Sequence, residues 1–202
     1  MASVYDLKPY FQNLLRPVTR FLALKGITAN QVTLTAMMLS FATGGLVYWR
    51  VESRWSLLLI PIILLIRMAL NAIDGMLARE HNMKTPLGAI LNELGDVLSD
   101  STLYLPLAFF PNIPCVLIVC VVILAIITEM AGVVSIQFGA SRRYDGPMGK
   151  SDRAFVFGLV TLLLGLGFQS GVWLKVVFGL MVFLLILTIF NRSRKALQEL
   201  KS

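Results

Sequence analysis

The chain has 202 residues, of which 57% are hydrophobic and only 14% charged, and its mean hydropathy is +0.78. That composition excludes an ordinary soluble domain. The formal net charge of +7 raises nucleic-acid binding, but the placement of the cations argues for membrane topology instead.

Residues 4–24, VYDLKPYFQNLLRPVTRFLAL, carry apolar side chains at helical spacing with Lys8, Arg16 and Arg20 between them. They predict an interfacial amphipathic helix lying on the cytoplasmic face, with Pro9 and Pro17 positioned to break it in two. Gly26 marks a turn, and Thr28 or Asn30 can cap the next helix. Residues 26–33 read either as a plain helix start or as one whose Asn30, Gln31 and Thr33 also face a site at the cytoplasmic boundary. A bilayer core needs ~20 mostly apolar residues per helix. Six stretches approach that, at about 33–49, 55–78, 87–110, 113–138, 154–169 and 172–190. They leave little chain for anything else. Residues 1–202 therefore read as one all-α membrane domain: six transmembrane helices, about 33–190, preceded by the interfacial helix. No internal repeat and no strand pattern is present. The tail NRSRKALQELK reads as an interfacial or soluble helical end.

With the N-terminus in the cytoplasm, the inner segments hold fourteen Lys and Arg residues, whereas the outer loops hold only Arg50, Arg54 and Lys175. That positive-inside asymmetry puts both termini in the cytoplasm, which requires an even number of spans. The basicity serves topology and attraction to the lipid bilayer's anionic heads, and no nucleic-acid partner is expected. No short apolar core with a cleavage site lies near Met1, so no cleaved signal peptide is expected. Cys115 and Cys120 fall in the fourth span and read as packing residues, not as a disulfide or zinc pair.

The chemistry concentrates in residues 71–96, NAIDGMLAREHNMKTPLGAILNELGD. At about 100° per residue, Asn71, Asp74, Gly75 and Ala78 share one face at the cytoplasmic end of span two. Gly88, Asn92, Gly95, Asp96 and Ser99 share one face of span three. Ionisable groups inside spans are costly and usually functional or buried against protein. Oxygen-bearing side chains on neighbouring helices suit a hard cation such as Mg²⁺ or Mn²⁺. The small residues admit close helix packing or a flat ligand. The competing readings are helix packing alone for the glycines and Ala78, and pairing of Asp74 and Asp96 with cations such as Arg67 or Arg79.

This stretch resembles the CDP-alcohol phosphotransferase family, whose signature is D-x2-D-G-x2-A-R-x8-G-x3-D-x3-D. Asp74-Gly75, Ala78-Arg79, Gly88 and Asp96 stand at that spacing without a gap, and six of the eight fixed positions carry the family residue. The resemblance extends over essentially the whole chain. It implies a six-helix membrane enzyme, a homodimer, that transfers a substituted phosphoryl group from CDP-diacylglycerol or a related CDP-alcohol to an acceptor alcohol and releases CMP. It implies a divalent metal pair on the motif aspartates, with Asp74 a ligand and Asp96 both ligand and general base. Gly75, Ala78, Arg79 and Gly88 match positions that accommodate the nucleotide, with Asp74 and Thr33 expected beside it. The expected location is the plasma (inner) membrane of a prokaryote, with the active site on the cytoplasmic side.

Asn71 and Asn92 depart from the pattern, standing where the family has aspartate. A carboxamide can offer its oxygen to a metal but brings no charge, so the motif carries −2 instead of −4. That favours one tightly held metal, with Asn71, Asp74, Asn92 and Asp96 as candidate ligands, or a second metal recruited only with the donor's diphosphate. Glu93 and Asp100 stand nearby as partial contributors. A non-catalytic relative that binds CDP-lipid or nucleotide is the alternative reading, and a small transporter is a third, disfavoured because the intramembrane acids cluster at one boundary.

The segment ASRRYDGPMGKSDRAF at 140–155 supplies Arg142, Arg143, Lys150 and Arg153 on the cytoplasmic side. Arg142, Lys150 and Arg153 are candidates to bind the acceptor and favour a phosphorylated one; positive-inside anchoring is the competing reading. Glu129, deep in span four, can pair with Arg67, lie in a dimer interface or approach the site. His81 reads as a solvated loop residue.

Overall fold

The computed structural model describes residues 4–51 and 53–201, with side chains from Tyr10 onward. Among these residues it is all-helical: α1 Val4–Leu24, α2 Ala29–Trp49, α3 Arg54–Glu80, α4 Pro86–Tyr104, α5 Cys115–Val134, α6 Lys150–Gly165 and α7 Val172–Glu199, with short 3₁₀ turns at Leu105–Phe109 and Ser135–Phe138. Local chemistry sets several of the boundaries. Thr28 and Gln31 form a reciprocal capping box at the start of α2, so Gln31 satisfies the helix end. Thr85 accepts from the Gly88 amide and Pro86 opens α4, the arrangement favoured at a helix N-terminus. The predicted third span ends early as a regular helix, because Pro106 lies in the 3₁₀ turn that follows Tyr104. The Asp152 carboxylate accepts from the Gly149 amide and starts α6 four residues before the predicted span. The tail is continuous with α7.

The structure corrects the expected break in the N-terminal helix. α1 is continuous through Pro17, whose lost amide would have served the carbonyl of Asn13, an exposed residue that solvent can reach. Lys8 and Pro9 lie outside the residues whose side chains are described. One side of α1 packs on α3, where Thr19 meets Met76 and Arg16 pairs with Glu80 at 3.3 Å. Tyr10, Leu14, Val18, Phe21 and Leu24 remain exposed.

α2 packs against both α3 and α4, α3 against α6, and α5 against α7. The α2–α4 approach is close: a Cβ on Gly44 would stand 2.2 Å from the Thr102 carbonyl oxygen. The interior joins a leucine- and valine-rich core to an aromatic stack, with Tyr104 and Phe157 rings 3.8 Å apart and Phe157 and Phe178 5.6 Å apart. Leu65, Ile123, Phe183 and Phe190 point outward. Among the described residues, four helical stretches are long and apolar enough to cross a membrane: Ala29–Trp49, Arg54–Glu80, Cys115–Phe138 and Val172–Glu199. α4 carries Glu93, Asp96 and Asp100, and α6 has only 16 residues and begins on Lys150, Asp152 and Arg153, which sets these two apart. Both cysteines are free thiols.

Candidate functional site

Asp74 is buried on α3, and Thr33 of α2 donates its hydroxyl to Asp74 Oδ2 at 2.7 Å. One turn earlier, Asn71 Nδ2 donates to Asp96 Oδ1 of α4 at 3.2 Å. The two motif aspartates are thus tied to neighbouring helices, and α2 contributes Thr33 between them. The same Asp96 oxygen meets the Lys150 ammonium in a direct ion pair and has Arg67 Nη2 at 3.8 Å. Asn92, one turn before Asp96, is exposed.

The motif's small residues divide by role. Gly88 lies against α2: an added Cβ would stand 2.5 Å from Asn30 Oδ1, and Asn30 donates to Thr85. Gly95 faces Thr33 and Met37 of α2 at ordinary contact distance. Gly75 is covered by the Arg79 guanidinium, whose Nη2 would be 2.9 Å from a Cβ there. Ala78 packs with Ala29, Val32, Ile73 and Leu77 beneath α1.

Oxygen donors from Asp74, Asp96, Asn71 and Asn92 suit a hard divalent cation. Among the described residues, however, no three His, Cys, Asp or Glu side chains converge as they would to hold a metal themselves. Lys150 already supplies positive charge at Asp96. Two carboxylates and two carboxamides give a donor set of charge −2, which one divalent cation balances.

Behind this site lies an ion network that the motif does not announce. Arg67 donates to Asp100 at 2.7 Å. Arg153 reaches Glu129 at 2.9 Å and Asp100 at 3.6 Å. Glu129 also receives Arg192 at 3.3 Å and Arg142 at 3.4 Å, and Arg142 pairs with Glu93 at 2.6 Å. Arg192 also donates to the Thr128 carbonyl. Burial works against the Arg142 charge, but Glu93 outweighs it and holds the guanidinium above its ordinary range. Of the three expected acceptor residues, Arg153 is buried, while Arg142 and Lys150 are half-buried. Asp100, Glu93 and Arg192 are the positions the sequence reading underweighted. The available signal was electrostatic: an acid and a base inside apolar spans each require a partner.

The segment between α5 and α6 is strapped to the end of α7. Arg143 donates to the Asp145 carboxylate at 2.9 Å and reaches Glu199 at 2.6 Å, and Lys195 reaches Asp145 at 2.6 Å. Its backbone runs so close to α5 that a Cβ on Gly132 would stand 2.6 Å from the Arg143 carbonyl oxygen.

Over residues 26–190 the chain matches the model of a family described as CDP-alcohol phosphatidyltransferase. It is 46% identical over 195 residues to the inner membrane protein YnbA of Escherichia coli (strain K12), with 96% of each chain covered. It is 34% identical over 95 residues to an uncharacterized protein of Aquifex aeolicus (strain VF5), covering 47% of this chain and 46% of that one. Among solved structures, the phosphatidylinositol phosphate synthase PgsA1 of Mycobacterium tuberculosis with CDP-DAG bound aligns with a TM-score of 0.74 at 18% identity, covering 92% of both chains. The same synthase in complex with manganese and citrate aligns with a TM-score of 0.75 at 18% identity, covering 90% of this chain and 88% of that one. At that identity the likeness is one of fold.

Proposed function

Because the chain belongs to the CDP-alcohol phosphatidyltransferase family, we propose that it transfers a phosphatidyl group from CDP-diacylglycerol, or a related CDP-alcohol, to an acceptor alcohol in phospholipid biosynthesis, releasing CMP. The observation that carries this reading is the placement of the motif acids: Asn71, one turn before Asp74 on α3, bonds to Asp96 of α4, and Thr33 of α2 fixes Asp74.

In this reading the acceptor hydroxyl attacks the phosphorus that bears the lipid. The bond from that phosphorus to the oxygen of CMP breaks, and the hydroxyl proton passes to the Asp96 carboxylate. Asn71 and Lys150 orient that carboxylate. Thr33 fixes Asp74, and Gly75, Ala78, Arg79 and Gly88 admit the nucleotide. Arg142, Lys150 and Arg153 stand on the side from which the acceptor approaches. A bound Mg²⁺ or Mn²⁺, held by Asp74 and Asp96 with the carboxamide oxygens of Asn71 and Asn92, supplies charge neutralisation on the diphosphate. The protein is an integral inner-membrane homodimer with six spans, α4 and α6 crossing within the bundle. α1 lies on the interface, and both termini and the site are cytoplasmic.

A second reading is a non-catalytic relative that binds CDP-lipid, favoured by the two asparagines and by Lys150 seated on Asp96. Incubation of the purified protein with CDP-diacylglycerol, Mg²⁺ or Mn²⁺ and a panel of alcohols separates the two. CMP release with one acceptor, abolished in Asp96→Ala, supports the enzyme. Retained CDP-lipid binding with no CMP from any acceptor supports the binding protein.

A further inference from the structure

Three arginines from three separate elements converge on one carboxylate. Glu129 of α5 receives Arg153 on Oε1 and both Arg192 and Arg142 on Oε2. A cluster of guanidinium groups is the arrangement that recognises phosphate. Here its anion belongs to the protein. Other cations nearby are matched as well: Arg67 by Asp100, Arg142 a second time by Glu93, and Lys150 by Asp96.

A phosphate monoester would bring about two further negative charges to a group of cations already met by carboxylates. Burying charge without a partner is heavily penalised. Space argues the same way. The cavity beside Glu129, lined also by Asp100, Tyr104 and Arg153, measures about 10 Å³, room for one water.

We propose that Glu129 fills with its own carboxylate the place an acceptor's phosphate would take, and that the acceptor alcohol therefore carries no phosphate. Glu129 is then a specificity-determining residue that does not touch the reacting atoms. This inference rests on the transferase reading above and reverses the expectation of a phosphorylated acceptor.

The test uses the full chain in lipid nanodiscs and has two arms. In the first, calorimetry measures glycerol 3-phosphate binding without a donor, so turnover is not needed. The wild type shows no saturable binding at millimolar ligand, whereas Glu129→Gln gains at least about tenfold in affinity. Glu93→Gln, which releases Arg142 from a more exposed partner, changes affinity in the same direction and serves if Glu129→Gln does not fold. In the second arm, CMP release from CDP-diacylglycerol is compared for glycerol and glycerol 3-phosphate. The wild type prefers glycerol, and Glu129→Gln narrows the ratio. Saturable glycerol 3-phosphate binding by the wild type, a preference for it in turnover, or no gain in any folded variant overturns the proposal. Silence with both acceptors counts against the transferase reading alone, and the binding arm still decides the role of Glu129.

Discussion

Asp96 is the residue where several demands meet: it pairs with Lys150, accepts from Asn71 and has Arg67 within 3.8 Å. Helical spacing grouped Asn71 with Asp74 and Asn92 with Asp96; the structure joins Asn71 to Asp96 and leaves Asn92 exposed. Lys150 was legible as a cation near the bundle, but its pairing joins positions on different helices far apart in sequence, which periodicity cannot reveal. For the same reason Arg67 was a candidate partner of Glu129 but pairs with Asp100. Charge counting predicts that Asn71→Asp combined with Asn92→Asp tightens Mn²⁺ binding at least about tenfold, through two added charges at short range. Electron paramagnetic resonance of the titrated protein reads this directly, and an unchanged affinity would remove the argument. Arg153→Met leaves Glu129 and Asp100 short of a buried partner, which typically costs about 3–5 kcal/mol. A clear fall in the unfolding temperature in detergent is expected, and none would mean that Arg192, Arg142 and Arg67 suffice.

At the scale of the helices, existence and order were readable from hydropathy, and the ends were set by short-range chemistry. The Thr28 cap was among the signals read from sequence. The start of α6 was displaced by an amide–carboxylate bond between Gly149 and Asp152, too local for an average over apolar residues to register. Pro17 did not break α1, because helix packing on α3 and an exposed Asn13 leave room for the missing bond. The α2–α4 contact at Gly44 gives a sharp test. Gly44→Ala places a methyl group against the Thr102 backbone, and overpacking of this kind costs about 1–3 kcal/mol. Parting these helices also moves Thr33 from Gly95, so activity falls with stability. Gly45→Ala, which meets nothing within 4 Å, is the matched control and leaves both intact.

For the molecule as a whole, the strap between α5 and α6 is held electrostatically to the end of α7. The Lys195 hydrogen bond, with Arg143 beside it, holds the Asp145 carboxyl below its ordinary range. A depressed carboxylate contributes stability that is present above its unfolded pKa of ~3.9 and lost as pH falls through the folded value. Protease protection of residues 139–149 is therefore steady near neutrality and declines in acid. Asp145→Asn loosens the strap near neutrality to the level that the wild type reaches only in acid, and so flattens that profile.

The Glu129 cluster also imposes an order on biogenesis. Glu129 emerges from the ribosome ahead of Arg142, Arg153 and Arg192. An acidic residue within an apolar span is costly to insert, and its compensating arginines arrive one segment at a time. Assembly completes only when the last helix delivers Arg192. A chain stopped after Phe190 keeps every apolar stretch yet lacks that closing cation. It should insert, fail quality control and be degraded, which pulse-chase labelling against the full chain would show.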